Sequence, residues 1–149
     1  MILDMGCGNR KLDADWGADI RPGPKVNTVM DMEITPWPFG DGQFSGIRLH
    51  HVLEHLKPWR MLDVMNEAHR VIEVGGLAEI AMPYPGSPRF WQDPTHVHAW
   101  NEVTPRYFDP DFPNWYTVYR PKPWKILQCR AEREGDIAVV LEARPWTSV

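Results

Sequence analysis

Short apolar runs, separated by glycine, proline and aspartate, organise the first half of the chain. Met1 to Met5 predicts a buried strand that runs into a glycine turn at Gly6-Cys7-Gly8. Gly17 to Ile20 predicts a second, shorter strand, ended by Arg21-Pro22-Gly23-Pro24. Val26 to Met30 predicts a third, closing on Asp31. Prolines interrupt Thr35 to Phe39, so that segment cannot be a regular helix. Asp41-Gly42 is a turn, and Phe44 to Leu49 predicts a fourth strand.

Pro58 suits the first position of a helix, and Met61, Leu62, Met65, Ala68, Val71 and Ile72 follow at helical spacing. Gly75-Gly76 is expected to stop that helix before a fifth strand over Leu77 to Met82. Trp124 to Arg133 and Ile137 to Arg144 flank Glu134-Gly135-Asp136 and predict a hairpin at one edge of the sheet. Strands alternating with connecting segments imply an α/β fold with a mostly parallel sheet and a C-terminal antiparallel hairpin.

Composition narrows the function. At 149 residues the chain is expected to be a single domain, its first half 1–83 and its second 84–149. The hydrophobic share of 43% supports a core, and no run reaches the ~18 apolar residues of a bilayer span. The start carries no basic or apolar leader, so a secretory signal is not expected. Two cysteines, Cys7 and Cys129, are too few for a disulfide framework and fit free thiols in a reducing cytoplasm. The net charge of -4 argues against a broad nucleic-acid surface. Ten of the fifteen prolines lie from Pro83 onward, so the second half is expected to be loop-rich.

In an open parallel sheet, ligands bind at the carboxyl ends of the strands near the switch point. There the strands deliver Asp4 with Gly6-Cys7-Gly8, then Asp19, Asp31 with Met32, His50 with His51, and Pro83 with Tyr84. Three acids at one rim repel phosphate and suit a ligand with a cationic end and hydroxyl or amine donors. Lys11 stands where a dinucleotide fingerprint needs a small residue.

Leu3-Asp4-Met5-Gly6-Cys7-Gly8-Asn9 resembles the first motif of class I S-adenosylmethionine-dependent methyltransferases, of the small "methyltransferase type 11-like" kind. Gly17-Ala18-Asp19-Ile20, Asp31-Met32-Glu33, Trp37 to Phe44, His51-Val52-Leu53-Glu54-His55-Leu56 and Glu67 to Gly76 resemble its later segments in the family's order. The resemblance covers residues 1 to about 84, and residues 90 to 108 are similar to some small members. It implies a Rossmann-like, minimal three-layer sandwich that binds S-adenosylmethionine and releases S-adenosylhomocysteine.

By that resemblance Gly6 and Gly8 admit the methionine part of the cofactor, and Asp4 helps to hold its amino group. Asp19 takes the ribose hydroxyls, Asp31 the adenine amine, and the Met32 backbone the ring edge. Cys7, Asn9, Ile20, Arg21 and Glu33 flank these positions, and His50, His51 and Val52 line the methionine and sulfonium end. About ten residues separate Gly8 from Asp19, so a short turn or stub replaces the usual first crossover helix. Gly46 and Val74 stand where the family often has Asp and Pro.

The acceptor side is expected from Tyr84, Trp91, Asp93 and His96. His96 has the near-neutral titration a general base needs, or orders its loop through hydrogen bonds, and His51 is the second catalytic candidate. Methyl transfer runs on positioning and desolvation, so a base is optional. No metal is expected. Most aromatics after residue 84 are expected to fill the core.

Other readings stand beside this one. Arg120, Lys122, Lys125, Arg130 and Arg133, with Tyr119 and Trp124, would suit a nucleic-acid methyltransferase, although a solvated hairpin face is the commoner use. A cofactor-binding subunit that needs a partner, or a homo-oligomer, would supply cover that the short start lacks; residues 84 to 116 are the other source. His51-Val52-Leu53-Glu54-His55 matches the H-x-x-E-H zinc-peptidase motif, which requires one continuous helix. The acidic balance favours a small-molecule or sugar-like acceptor, and the lack of a long apolar run implies no membrane.

Overall fold

The computed structural model describes residues 1–9 and 14–147. Seven strands form one sheet in the order β3-β2-β1-β4-β5-β7-β6. They are β1 (Ile2–Met5), β2 (Trp16–Asp19), β3 (Thr28–Val29), β4 (Phe44–His50), β5 (Ile72–Pro83), β6 (Trp124–Ala131) and β7 (Asp136–Ala143). The first five pair in parallel, and β7 pairs antiparallel with both β5 and β6. The chain winds outward from β1 to β3, then returns to place β4 on the other side of β1. That reversal is the switch point where such sheets hold ligands.

The strands that flank the reversal share one apolar, buried face. Leu3 and Met5 of β1, Ile47 and Leu49 of β4 and Ile80 and Met82 of β5 are all buried. Each such side chain stabilises the fold by about 1.5–3 kcal/mol. On the opposite face Arg48, His50 and Glu79 are only partly buried, so β4 and β5 alternate.

A single 3-10 turn, Pro58–Arg60, leads into α1 (Met61–Val71), the longest helix among the described residues. It buries Met61, Val64, Met65, Ala68 and Val71, one face at helical spacing. Two one-turn helices follow, α2 (Pro88–Trp91) and α3 (Pro113–Tyr116). Each carries proline in its first turn, where no backbone donor is lost. Among the described residues, no helix is long and apolar enough to cross a membrane.

The helix end differs from the expectation. Gly75-Gly76 does not stop α1, because Ile72 already turns extended at φ -102° and ψ 152° and β5 begins there. The two glycines lie inside β5, where the register against β4 shifts between the Phe44↔Ile72 and Gly46↔Leu77 pairs. Gly75 takes φ +83°, and a Cβ on Gly76 would lie 2.8 Å from the Glu73 and Ser45 carbonyl oxygens. The pair therefore shapes an irregularity in the strand.

The aromatics of the second half divide as their surroundings dictate. Trp100, Trp124, Phe90 and Phe108 are buried, and Trp100 stacks on Phe108 at 5.3 Å. Trp91 is 74% exposed. The hairpin cations Lys125, Arg130 and Arg133 are exposed, and Lys122 sits 5.0 Å over the Trp146 ring.

Candidate functional site

Two adjoining clefts open at the carboxyl ends of β1, β2 and β4. One, of about 340 Å³, is lined by Met5, Gly6, Asp19, Ile20, Met30 to Glu33, Val52 and His55 to Lys57. The other, of about 590 Å³, is lined by Gly6, Gly8, Asn9, Asp19 to Pro22, His51, Val52, His55, Asp93 and Thr95. They share Gly6, Asp19, Ile20, Val52 and His55, so together they form one continuous groove.

Gly6 is held where its N–H donates to the Ala18 carbonyl at 2.7 Å, with φ +74°. A Cβ there would meet Val52 Cγ2 at 2.6 Å. Both the left-handed backbone and the missing space demand glycine. Asp19 locks this loop to its own strand end. Its Oδ2 accepts the Gly8 N–H at 2.8 Å and its Oδ1 accepts the Arg21 N–H at 2.9 Å. Each carboxylate oxygen keeps a second lone pair for a ligand donor in the groove.

Asp31 Oδ1 accepts the Glu33 N–H at 2.9 Å, and the Met32 carbonyl accepts the Trp37 indole N–H at 2.9 Å. Glu33 is committed to Lys57, accepting its backbone N–H at 2.8 Å and facing its Nζ at 3.2 Å. Cys7 is buried behind the loop. Asp4, 3% exposed, and half-buried His50 stand behind the groove rather than lining it; burial pushes the His50 imidazole below its usual pKa. Residues 10–13 of the expected stub lie outside the described residues.

A further cavity of about 420 Å³ adjoins the groove and is lined by His51, Glu54, His55, Pro83, Arg89, Gln92, Asp93, His96 and Asp136. His51, His55 and Asp93 line both spaces and form the wall between them. His51 adopts φ +53° and lies with Nδ1 3.6 Å from Glu54 Oε1 and Nε2 3.3 Å from Asp136 Oδ2. The Glu54 hydrogen bond raises its pKa. The Thr95 hydroxyl and N–H, at 2.7 and 2.8 Å, hold the Asp93 carboxyl below the usual range. His96 Nδ1 donates to the Phe90 carbonyl at 2.8 Å.

Two expected acceptor residues are elsewhere. The Tyr84 hydroxyl donates to Glu102 Oε2 at 3.0 Å, and exposed Trp91 packs edge-on against Phe90 at 5.1 Å. Neither lines the cavity. The peptidase geometry is also missing. His51 is left-handed and only Leu53–His55 form a 3-10 turn, so the two histidines do not share a helix face. Glu54, His55, Arg89 and Asp136 are site residues that the sequence did not single out as such. The H-x-x-E-H spacing was the one signal for Glu54 and His55, and it pointed to a different geometry.

Solved structures share this fold. A methyltransferase from Archaeoglobus fulgidus, described as S-adenosylmethionine-dependent, is 18% identical; the match covers 95% of this chain and 85% of that one, with a TM-score of 0.65. The protein bound to the Haloferax volcanii Trm112 methyltransferase activator is 12% identical over 99% and 83%, with a TM-score of 0.67. The Burkholderia thailandensis 1,6-didemethyltoxoflavin-N1-methyltransferase, solved with its substrate and S-adenosylhomocysteine, is 13% identical over 97% and 71%, with a TM-score of 0.67. The chain thus has the Rossmann-like fold of the class I S-adenosylmethionine-dependent methyltransferases. No protein-family model and no curated protein matches the sequence.

Proposed function

We propose that the chain is a methyltransferase that moves a methyl group from S-adenosylmethionine to a small acceptor. The observation that carries this reading is the groove at the switch point. Its Gly6 cradle is closed to any Cβ, and Asp19 at the end of β2 and Asp31 just beyond β3 lie beside it. Carboxylates over glycine amides fit a ribose and a cationic donor and do not fit a dinucleotide pyrophosphate. The Burkholderia neighbour, solved with S-adenosylhomocysteine, supports the same cofactor.

When bound, the cofactor supplies an electrophilic methyl carbon on a sulfonium. The chain's own residues do the rest. Gly6, Gly8 and Val52 shape the floor of the groove, Asp19 takes the ribose hydroxyls and Asp31 the adenine amine. Cys7, Asn9, Ile20, Arg21, Met32 and Glu33 support those contacts. His51 and His96 meet the acceptor in the adjoining cavity. An acceptor atom held there would give its lone pair to the methyl carbon and its proton to a neighbouring imidazole or to water. Alignment across the shared wall supplies most of the catalysis, as an in-line displacement requires.

The test is transfer of labelled methyl from S-adenosylmethionine to a panel of hydroxylated and amine-bearing small molecules. Label in an acceptor, with S-adenosylhomocysteine formed in equal amount, is the expected result. A folded chain that transfers no label overturns the reading, unless adding a partner protein restores transfer. The Haloferax neighbour bound to its activator motivates that arm. A chain that works only then is the partner-dependent subunit.

A further inference from the structure

The wall between groove and cavity contains a side-chain cluster that methyl transfer alone does not explain. Glu54 is 1% exposed, and its Oε2 has no hydrogen-bond partner. Its backbone carbonyl accepts the Val97 and His98 N–H groups at 2.9 and 3.2 Å, which draws the 93–98 loop over it. That loop brings His96 Nε2 to 3.9 Å from Glu54 Oε1, and His55 Nε2 lies 4.0 Å from the same oxygen.

The partners of the other ring nitrogens fix what faces the carboxylate. The Thr95 hydroxyl donates to Asp93 Oδ1 at 2.7 Å, so it can only accept from His55 Nδ1, at 2.9 Å. The Phe90 carbonyl can only accept from His96 Nδ1. With Nδ1 so engaged, each ring turns its Nε2 toward the buried carboxylate, and His96 Nε2 also lies 3.6 Å from Asp93 Oδ2. Glu54 thus faces three imidazoles with its Oε2 still unpartnered, His51 Nδ1 lying 3.6 Å from its Oε1. Such an arrangement is costly in a low-dielectric site unless a cation occupies it. The Nδ1 bonds to a backbone carbonyl and a carboxylate-linked hydroxyl are the supports that metal-bound histidines carry.

We propose that Glu54, His55 and His96 bind one divalent first-row transition-metal ion. The candidate ligand atoms lie within 4.8 Å of one another. Tetrahedral bonds of about 2.0–2.1 Å set ligand atoms about 3.3–3.4 Å apart, so small side-chain adjustments close the set. Two imidazoles and one carboxylate leave a coordination position open, as in catalytic zinc sites. That position meets the cavity bounded by Arg89, Gln92 and Asp136. An acceptor hydroxyl bound there would lose its proton more readily. This last use rests on the methyl-transfer reading; the metal site itself does not.

The test uses the full chain after chelator treatment and dialysis. Co²⁺ is titrated in, and the visible d–d absorption is followed and then displaced with Zn²⁺. One equivalent is expected to bind with a dissociation constant well below about 100 µM. His96→Ala and His55→Ala should each weaken binding by about 100-fold or more, and His98→Ala should not. Circular dichroism checks folding. Should His96→Ala fail to fold, the more exposed His55 position carries the test. No Co²⁺ or Zn²⁺ binding by the folded parent, or parent-like affinity in the folded variants, overturns the site. S-adenosylhomocysteine binding is measured on the same sample. Its loss with metal binding intact counts against methyl transfer and not against the metal.

Discussion

Gly6 illustrates how much one position decides. A Cβ there would sit 2.6 Å from Val52 Cγ2, and φ +74° is left-handed. Gly6→Ala is expected to destabilise by about 1–3 kcal/mol, read from urea unfolding. Adding Val52→Ala should recover the steric share and leave the backbone share. Full recovery would mean that the backbone is not strained. His69 decides differently. Its Nε2–H donates to the Pro123 and Arg144 carbonyls at 3.1 and 2.9 Å, and burial pushes its pKa below 6.5. As pH falls below 6.5 the unfolded chain takes up this proton first. Its stabilising contribution is therefore full above that pH and is lost on the way down to the lower folded value. Thermal melts across that window should show the loss, and His69→Gln should flatten it. An identical slope in the variant would contradict the assignment.

Among the elements, α1 and the loop before β4 are joined by one arginine. Arg70 donates to Glu67 Oε2 and Asp41 Oδ1 at 2.7 Å, and to the Phe39 and Trp37 carbonyls at 2.8 and 3.2 Å. Glu67 Oε2 in turn accepts the Trp37 N–H at 2.7 Å. This clamp holds the proline-rich segment that follows Asp31 and Met32, and so one end of the groove. Arg70→Ala leaves Glu67 and two carbonyls short of donors and should cost about 2–3 kcal/mol by denaturant titration. A loss below about 0.5 kcal/mol would show the clamp to be solvated.

The elements also mark where the sequence was legible. The positions of the strands along the chain emerged from the Gly and Pro punctuation, and the acids at the end of β2 and just after β3 fell where their spacing put them. The end of α1 did not, because a glycine pair after a helical pattern looks the same whether it caps a helix or bends a strand. Nor did the partner of Glu54. Spacing within His51 to His55 cannot show that a distant loop, tied to the Glu54 carbonyl, delivers His96.

At the scale of the molecule, the antiparallel hairpin completes the sheet and is pinned to α1. Fully buried Trp124 meets His69 edge-on at 5.1 Å, and buried Asp109 accepts the Ile126 N–H at 2.8 Å. Trp124→Ala should cost about 3–5 kcal/mol in the same unfolding assay. The parallel half supplies the groove, and the loops between β5 and β6 close the adjoining cavity. The result is one molecule with two spaces sharing a wall of His51, His55 and Asp93.

The central claim is that the groove binds the methyl donor. Isothermal titration of S-adenosylhomocysteine into the intact chain tests it most directly. The account predicts one equivalent bound with a dissociation constant below about 100 µM, weakened about tenfold or more in a folded Asp19→Ala variant. A folded parent that gives no binding heat, or an Asp19→Ala variant of unchanged affinity, would contradict it.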